Sequence, residues 1–401
     1  MGKSLAGASV AASSYQRILG ANDRISVGMI GCGGRGLLGE VLQFTKETNS
    51  QVMAVCDTWR QHREKAVAQV KAADGNSPEP FVRYQDLLAL KTIDAVVIGT
   101  PDHQHCTILT AAARAGKDAY CEKPLAMNLK ELNEAVDAVK KNSRVVQIGT
   151  QVRSWAPSVA GRAFVQSGGL GKVFKIEQSR NGARPYWYGF GERPITEADV
   201  DWKGFLMNQK YRPFNAKQYA GWYGFREFSR GPQTNLFVHF IDLVHYVTGA
   251  KFPTRVIAMG GKFRFKDDEY TNPDSVEIAL EYPESFLVRY CSTFGTNANS
   301  YLKFIGTKGV MDASVWNKPW VLSGQGSEEP DRIQPGAQVP PAEGPHHMKN
   351  FLECARSRQT ATNAPIEAGY SHAIATIMAD EAFITGKRMV YDPARKTIHA
   401  G

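Results

Sequence analysis

The chain has no run of apolar residues approaching the roughly 18 needed to cross a bilayer, so no membrane-spanning helix and no membrane partner are expected. Its six cysteines (Cys32, Cys56, Cys106, Cys121, Cys291 and Cys354) form no C-x-x-C pair, which argues against both a zinc cluster and a disulfide framework. Most lie in apolar, strand-like contexts, where cysteine acts as a small hydrophobe. No internal repeat is present, which excludes solenoids and propellers. The formal charge of +9 comes from 48 basic and 39 acidic residues, but the basic ones are scattered. Without a basic stripe interleaved with aromatics, no nucleic-acid partner is expected. A mild attraction for anionic cofactors or sugars remains.

With 43% hydrophobic and 22% charged residues over 401 positions, the chain has the make-up of a globular protein with two domains. Ser4 to Ser13 is small, mildly apolar and uncharged. It resembles the end of a bacterial export signal, although no Arg-Arg pair precedes it. Residues 1–23 therefore read as an export-signal remnant or a disordered tail, and the protein as periplasmic or exported, otherwise cytoplasmic.

From Arg24 to Ile148, apolar strand-like runs alternate with helical segments. The runs are Arg24–Ile30, Gln51–Cys56, Asp94–Ile98, Lys117–Cys121 and Arg144–Ile148, with helices expected at Gly36–Thr48 and Arg60–Ala73. The pattern predicts a doubly wound parallel sheet over residues 24–150. Beyond residue 150 the texture changes. Aromatics, prolines and glycines crowd Tyr186 to Phe228. Strand-like runs follow at Val173–Gln178, Val256–Phe265, Ser275–Tyr282, Phe286–Phe294 and Tyr301–Ile305, with a hairpin at Glu281–Phe286. Ser323–Gly344 reads as an exposed loop, and helices return at His347–Arg356 and Ile366–Thr385. Residues 151–401 thus read as an α+β domain with a largely antiparallel sheet, its last helices packing partly on the first domain.

Gly31-x-Gly33-x-x-Gly36 follows a strand and opens a helix, the context in which this short motif binds a dinucleotide. The first glycine permits the tight turn, the second lets pyrophosphate approach the backbone, and the third lets helix and strand pack closely. Gly34 and Arg35 complete the turn. Asp57 ends the second strand, where a carboxylate accepts the ribose 2′-hydroxyl and repels a 2′-phosphate. NAD is therefore favoured over NADP, with Arg60 the nearby cation that would suit the latter. Thr100-Pro101-Asp102-His103-Gln104-His105 falls at the carboxyl edge of the fourth strand and reads as a loop lining the cofactor. No further cluster of ligand spacing accompanies its histidines, so no metal is expected.

Glu122-Lys123-Pro124 ends the next strand, beside the expected nicotinamide. Lys123 there can donate to a reacting oxygen and stabilise negative charge on it, and Pro124 fixes the local geometry. At 100° per residue, Asn235, His239, Asp242 and Tyr246 fall in one stripe of a helix otherwise covered by Leu236, Phe237, Phe240, Ile241 and Val244. Buried polar groups need partners or a purpose. His239 suits a general base for a hydroxyl proton; pairing with Asp242 as a structural core histidine is the alternative. His245 points away from the stripe and reads as structural.

Taken together, these motifs resemble those of the Gfo/Idh/MocA oxidoreductases, the glucose–fructose oxidoreductase and inositol dehydrogenase group. The likeness runs from about Arg24 to Asp392 and includes Gly168-Gly169-Leu170-Gly171-Lys172-Val173. It implies a Rossmann domain followed by an α/β domain whose open sheet mediates dimers or tetramers, and sugar, polyol or glycoside substrates. It places Lys123 and His239 at the family's catalytic lysine and histidine, with Asp242 nearby, and Glu122 and His105 among the cofactor-side residues. Asn235 stands where many members have an aspartate, so an amide orients where a carboxylate would stabilise an imidazolium. Arg153, Tyr186 or Tyr188 would then share the work of the site. Asp201-Trp202-Lys203 and Arg212-Pro213-Phe214 resemble a segment of an exported subgroup, with Trp202 and Arg212 expected at the sugar. Two activities follow: an NAD(P)-dependent dehydrogenase acting at C3 of a sugar or glycoside, or an NAD-dependent glycosidase or lyase that oxidises and re-reduces C3. A sugar sensor on the same fold would usually lose Lys123 or His239, and both are present.

Overall fold

A computed structural model describes residues 24–189, 194–266 and 269–401; the expected export segment lies outside these residues. The first domain is a six-stranded parallel sheet built from β1 (Ile25–Ile30), β2 (Ser50–Cys56), β3 (Glu79–Phe81), β4 (Ala95–Ile98), β5 (Asp118–Cys121) and β6 (Val146–Ile148), in the order β3-β2-β1-β4-β5-β6. Its central strands are buried on both faces, which is why they read as unbroken apolar runs. The connecting helices are α1 (Leu37–Phe44), α2 (Arg60–Asp74), α3 (Tyr84–Ala89), α4 (His105–Arg114) and α5 (Leu129–Lys141). Strand order reverses between β1 and β4, and the crevice at that switch point is where doubly wound sheets bind ligands.

The second domain is a nine-stranded mixed sheet. Its strands are β7 (Val173–Ser179), β8 (Arg255–Gly261), β9 (Ser275–Tyr282), β10 (Phe286–Thr293), β11 (Tyr301–Gly306), β12 (Gly309–Asp312), β13 (Val321–Ser323), β14 (Met389–Asp392) and β15 (Thr397–Ala400). Their order is β13-β12-β11-β7-β10-β9-β8-β14-β15, antiparallel throughout except where β7 runs parallel to β10. In β9, Val276, Ile278, Leu280 and Tyr282 face the core, and the alternate residues face outward. The helices are α6 (Ala156–Gln166), α7 (Trp202–Leu206), α8 (Ala216–Ala220), α9 (Phe237–Thr248), α10 (His347–Ser357) and α11 (Ile366–Thr385). One core runs from the inner face of this sheet through α9 and α11 into the first domain. Helix α10 buries Met348, Phe351 and Leu352 against Val27, Met29 and Leu37.

Two elements end earlier than their composition predicts. Helix α1 stops at Phe44: the Thr48 N–H and hydroxyl both donate to the Phe44 carbonyl, at 3.0 and 2.8 Å, in a turn that Asn49 closes with φ +48°. Strand β8 stops at Gly261 because the Asp274 carboxylate gathers the N–H groups of Phe263, Arg264 and Phe265 at 2.8–3.1 Å, drawing them out of the sheet. The short strands β3 and β12–β15 were not expected; three or four residues carry too little periodicity to be read.

Candidate active site

The glycine turn leaves β1 through Gly31, whose φ is +87°. A Cβ there would sit 2.6 Å from the Gly99 backbone, so only glycine lets β1 and β4 end side by side. Gly36 opens α1 with φ +78°, and a Cβ on Gly34 would meet nothing within 4 Å. Asp57 accepts from Cys32 N–H at 2.8 Å and Trp59 N–H at 2.9 Å, with His62 Nδ1 at 3.2 Å. The carboxylate thereby fixes the turn as well as bordering the cavity beyond it.

That cavity holds about 850 Å³. Gly31, Gly33, Gly34 and Arg35 of the glycine turn line it, together with Asp57, Thr100 and Pro101. The second domain closes it with Ile195, Tyr219, Trp222 and Tyr223. Three contacts hold this roof down: the Thr58–Tyr219 hydroxyl pair at 2.9 Å, a Trp59–Val200 backbone bridge, and Arg60–Asp199 at 2.5 Å. The residues suit a dinucleotide. Gly34 leaves open space at a helix N-terminus, and the Thr100 hydroxyl and Trp59 indole N–H are buried without a protein partner.

Two residues expected at the cofactor turn out to brace the loops around it. His105 is 1% exposed and places Nδ1 2.8 Å from the Pro124 carbonyl and Nε2 2.8 Å from the Thr100 carbonyl, tying the ends of β4 and β5 together. Glu122 is buried, accepts from Lys123 N–H at 3.1 Å and stands 3.0 Å from Arg35 Nε, within ion-pair range but outside hydrogen-bond geometry. Neither lines the cavity.

Lys123, followed by a cis peptide to Pro124, reaches across the domain boundary. Its Nζ donates to the Asn235 carbonyl at 3.0 Å and to Asn235 Oδ1 at 3.3 Å. Burial lowers its pKa, while Asp102 and Glu122 pull the other way. Asn235 is not on the helix, as the stripe predicted; it lies in the turn before Phe237, where α9 begins. Its Nδ2 donates to both oxygens of Asp102 at 3.0–3.1 Å.

His239, in the first turn of α9, has a buried Nδ1 with no hydrogen-bond partner. Burial pushes this imidazole well below its usual range, and the charges of Lys123 and Arg180 add to the effect, so it is neutral at neutral pH. Asp242 does not pair with it. The Asp242 carboxylate takes Arg153 Nε at 2.6 Å and His372 Nδ1 at 3.0 Å, and the three groups form a buried cluster in which both carboxylate oxygens are engaged. Asp242, expected among the catalytic residues or as a structural partner of His239, and Arg153, expected at the substrate, are thus bonded to each other.

Among the expected sugar contacts, Tyr186 packs on Tyr223, a residue of the cavity wall, and its hydroxyl is buried without a partner. Tyr188 instead packs on Phe265 and Tyr270. Trp202 is 4% exposed, stacks on Phe205 and donates to the Arg212 carbonyl at 2.8 Å. Arg212 bonds Gln218 at 2.9 Å and Glu227 at 2.5 Å. Trp202 and Arg212 are therefore parts of an aromatic core, with no contact to Lys123, Asn235 or His239. Two residues escaped the sequence reading. Asp102 lay in a motif read as a cofactor loop, and Arg180 follows β7, with its guanidinium over the Trp316 ring that faces His239. Among the described residues, no group of three or more His, Cys, Asp or Glu is arranged to hold a metal ion.

A parallel sheet with a glycine turn at its switch point, roofed by a second domain, is the layout of a two-domain dinucleotide-binding protein. Residues 25–150 match the Gfo/Idh/MocA oxidoreductase family, NAD-binding Rossmann fold, and residues 162–389 match that family's C-terminal α/β domain, so the chain belongs to this family. It is 32% identical over 202 residues to inositol 2-dehydrogenase/D-chiro-inositol 3-dehydrogenase of Lactiplantibacillus plantarum, covering 47% of this chain and 56% of that protein. It is 30% identical over 161 residues to a glycosyl hydrolase family 109 protein of Shewanella sp. (strain W3-18-1), covering 39% of this chain and 34% of that protein. The chain thus spans about a third to just over half of the length of these relatives. Its fold resembles that of the WlbA dehydrogenase from Bordetella pertussis, solved with NADH and UDP-GlcNAcA, with TM-score 0.70 and 19% identity over 92% of this chain and 99% of that one. It also resembles levoglucosan dehydrogenase solved with NADH, with TM-score 0.66 and 18% identity over 94% of this chain and 99% of that one.

Proposed function

We propose that the protein oxidises a CH–OH group of a sugar, polyol or glycoside. The observation that carries this reading is the buried Lys123, at the end of the strand next to the one whose Thr100 and Pro101 line the glycine-turn cavity, held against Asn235 with a neutral His239 four residues further on. Bound NAD(P) would supply the hydride acceptor. His239 takes the hydroxyl proton as the carbonyl forms, and the Lys123 ammonium donates to the same oxygen and disfavours the protonated substrate. Gly31, Gly33, Gly34, Arg35 and Gly36 would hold the pyrophosphate, and Asp57 the ribose. Asp57 on the cavity wall favours NAD, and Arg60 is engaged by Asp199 rather than facing a 2′-phosphate. The outward face of the nine-stranded sheet exposes Ile257, Met259 and Leu287, which suits a homodimer or homotetramer.

A redox-neutral glycosidase or lyase is the second reading. It is favoured by the roof of Ile195, Tyr219, Trp222 and Tyr223, which suits a cofactor retained from one turnover to the next. C3 is the proposed position because a ketone there acidifies the C2 proton, and elimination of the aglycone, hydration and re-reduction can follow. The test incubates the protein with NAD and a panel of α- and β-glycosides and free sugars, reading NADH absorbance and chromatographed products from the same tubes. A keto-sugar with stoichiometric NADH supports the dehydrogenase. Aglycone release without net NADH supports the second reading. No product from any member of the panel would count against both.

A further inference from the structure

Asp102 is a buried carboxylate that neither functional reading uses. It begins the short turn after Pro101 and is 3% exposed. One oxygen accepts from the Ser229 hydroxyl at 2.7 Å, and both face Asn235 Nδ2. A carboxylate offers acceptors only, so the amide cannot turn round. Asn235 Oδ1 is left facing the Lys123 ammonium at 3.3 Å. The chain of contacts is therefore Ser229–Asp102–Asn235–Lys123, and it spans both domains.

The charges around Lys123 single out Asp102. Glu122, at the end of the lysine's own strand, is neutralised by Arg35. Asp242, on α9, is neutralised by Arg153 and hydrogen-bonded by His372. Arg35 from the glycine turn and Arg180 from the end of β7 bring further positive charge, and His239 faces the same space from α9. Of the carboxylates acting on Lys123, Asp102 has no arginine or lysine in ion-pair contact among the described residues. Where a carboxylate at position 235 would touch the lysine directly, this chain places an amide there and the negative charge one residue further back.

We propose that Asp102 is a positioning residue: it supplies the charge that keeps Lys123 an ammonium ion and locks the Asn235 amide with its oxygen toward that ammonium. The catalytic consequence rests on the oxidoreductase reading; the electrostatic claim does not. Burial raises the Asp102 pKa while Lys123 and His105 oppose it, the counterpart of the lowering seen at Lys123.

The test reads the lysine itself, without substrate. Competitive acetylation with acetic anhydride between pH 6 and 11, followed by mass spectrometry of the Lys123 peptide, gives the pH midpoint of its reactivity. The proteins are wild type, Asp102→Asn, and Asp102→Asn/Asn235→Asp, which moves the carboxylate next to the lysine. Loss of an opposite charge should lower the midpoint in Asp102→Asn by about one pH unit or more. The double variant should return it to the wild-type value or above. An unchanged midpoint in Asp102→Asn, or a double variant that stays low, overturns the proposal. If Asp102→Asn alone does not fold, as judged by circular dichroism, the double variant decides: a midpoint at or above wild type supports the assignment, and one below it overturns it. Absence of turnover on every sugar would sink the functional reading and leave this measurement intact.

Discussion

Lys123 Nζ donates to the backbone carbonyl of Asn235 at 3.0 Å, so the strand end of the first domain is bonded to the turn that opens α9 in the second. His239 follows four residues later, in the first turn of that helix. The bond therefore sets the spacing between an ammonium and an imidazole that come from different domains. Lys123→Ala should leave NAD binding, measured by quenching of tryptophan fluorescence, unchanged. Turnover on the substrate found in the panel should fall by about 100-fold or more. Unchanged turnover would remove Lys123 from the chemistry.

Much of this site is legible in the chain because its parts are local. The glycine turn, Asp57 and Lys123 each sit at a strand end, and the strands are apolar enough to be located from sequence. What was not legible is tertiary. Whether Asp242 meets His239 or Arg153 depends on how α9 packs against the segment preceding α6 and against α11, and no periodicity encodes that. Trp202 and Arg212 were misplaced for a related reason: an aromatic stacked on Phe205 in a core and one stacked on a sugar have the same sequence signature. Asp102 was hidden by its neighbours, since a carboxylate between Pro101 and His103 reads as loop polarity until Ser229 and Asn235 arrive from far along the chain.

His239 works as a base only when deprotonated, and burial together with Lys123 and Arg180 keeps it so well below neutral pH. The rate should therefore show no acid inflection near the ordinary imidazole value of about 6.5. Arg180→Met removes one of the charges that depress the group, so the acid limb should move to higher pH. His239→Gln should lower kcat by roughly 10²–10⁴-fold. A pH–rate profile for each protein checks the three expectations together, and an acid limb that stays put in Arg180→Met would contradict the electrostatic assignment.

Asp57 both borders the cavity and accepts the Cys32 N–H of the glycine turn and the Trp59 N–H that follows its own strand. Asp57→Ser keeps a short acceptor but removes the charge that repels a 2′-phosphate. The ratio of kcat/KM for NAD to that for NADP should fall by about tenfold or more, close to 1.4 kcal/mol of discrimination. Arg83, an exposed cation on the same cavity wall, is then available to the phosphate. An unaltered ratio would mean that cofactor choice is set elsewhere in the cavity.

Asp242 is expected to matter for stability. It is 1% exposed, and although burial alone would raise its pKa, Arg153 and His372 hold it well below the usual carboxylate range. Asp242→Asn leaves the Arg153 guanidinium buried without its counter-charge, which costs about 3–5 kcal/mol. Urea unfolding followed by circular dichroism should show that loss. Full stability with abolished turnover would instead restore Asp242 to a catalytic role.

Acid should unfold this protein earlier than its carboxylates alone would require. Burial depresses His103 to about 4, His245 to about 3 and His347 to about 4. Each is neutral in the folded chain and titrates near 6.5 when unfolded. Between those values the unfolded state binds more protons, so stability is fully present above about pH 6.5 and is lost as pH falls toward 4. By pH 5 each such histidine costs about 2 kcal/mol relative to neutral pH. Their partners explain why they stay neutral in the fold: His245 sits between the Tyr282 and Ser371 hydroxyls, and His347 between the Ser154 hydroxyl and the Ile148 carbonyl. None of these partners carries a charge that would favour an imidazolium. A thermal melt series should show a midpoint that is steady from pH 8 to 7 and falls continuously between pH 6.5 and 4. The double variant His245→Gln/His347→Gln removes two of the titrating groups, so its decline over the same interval should be shallower even if its midpoint at pH 8 is lower. A wild-type midpoint that holds flat to pH 4.5 would mean these histidines find water or acidic partners on protonation and are not the source of acid sensitivity.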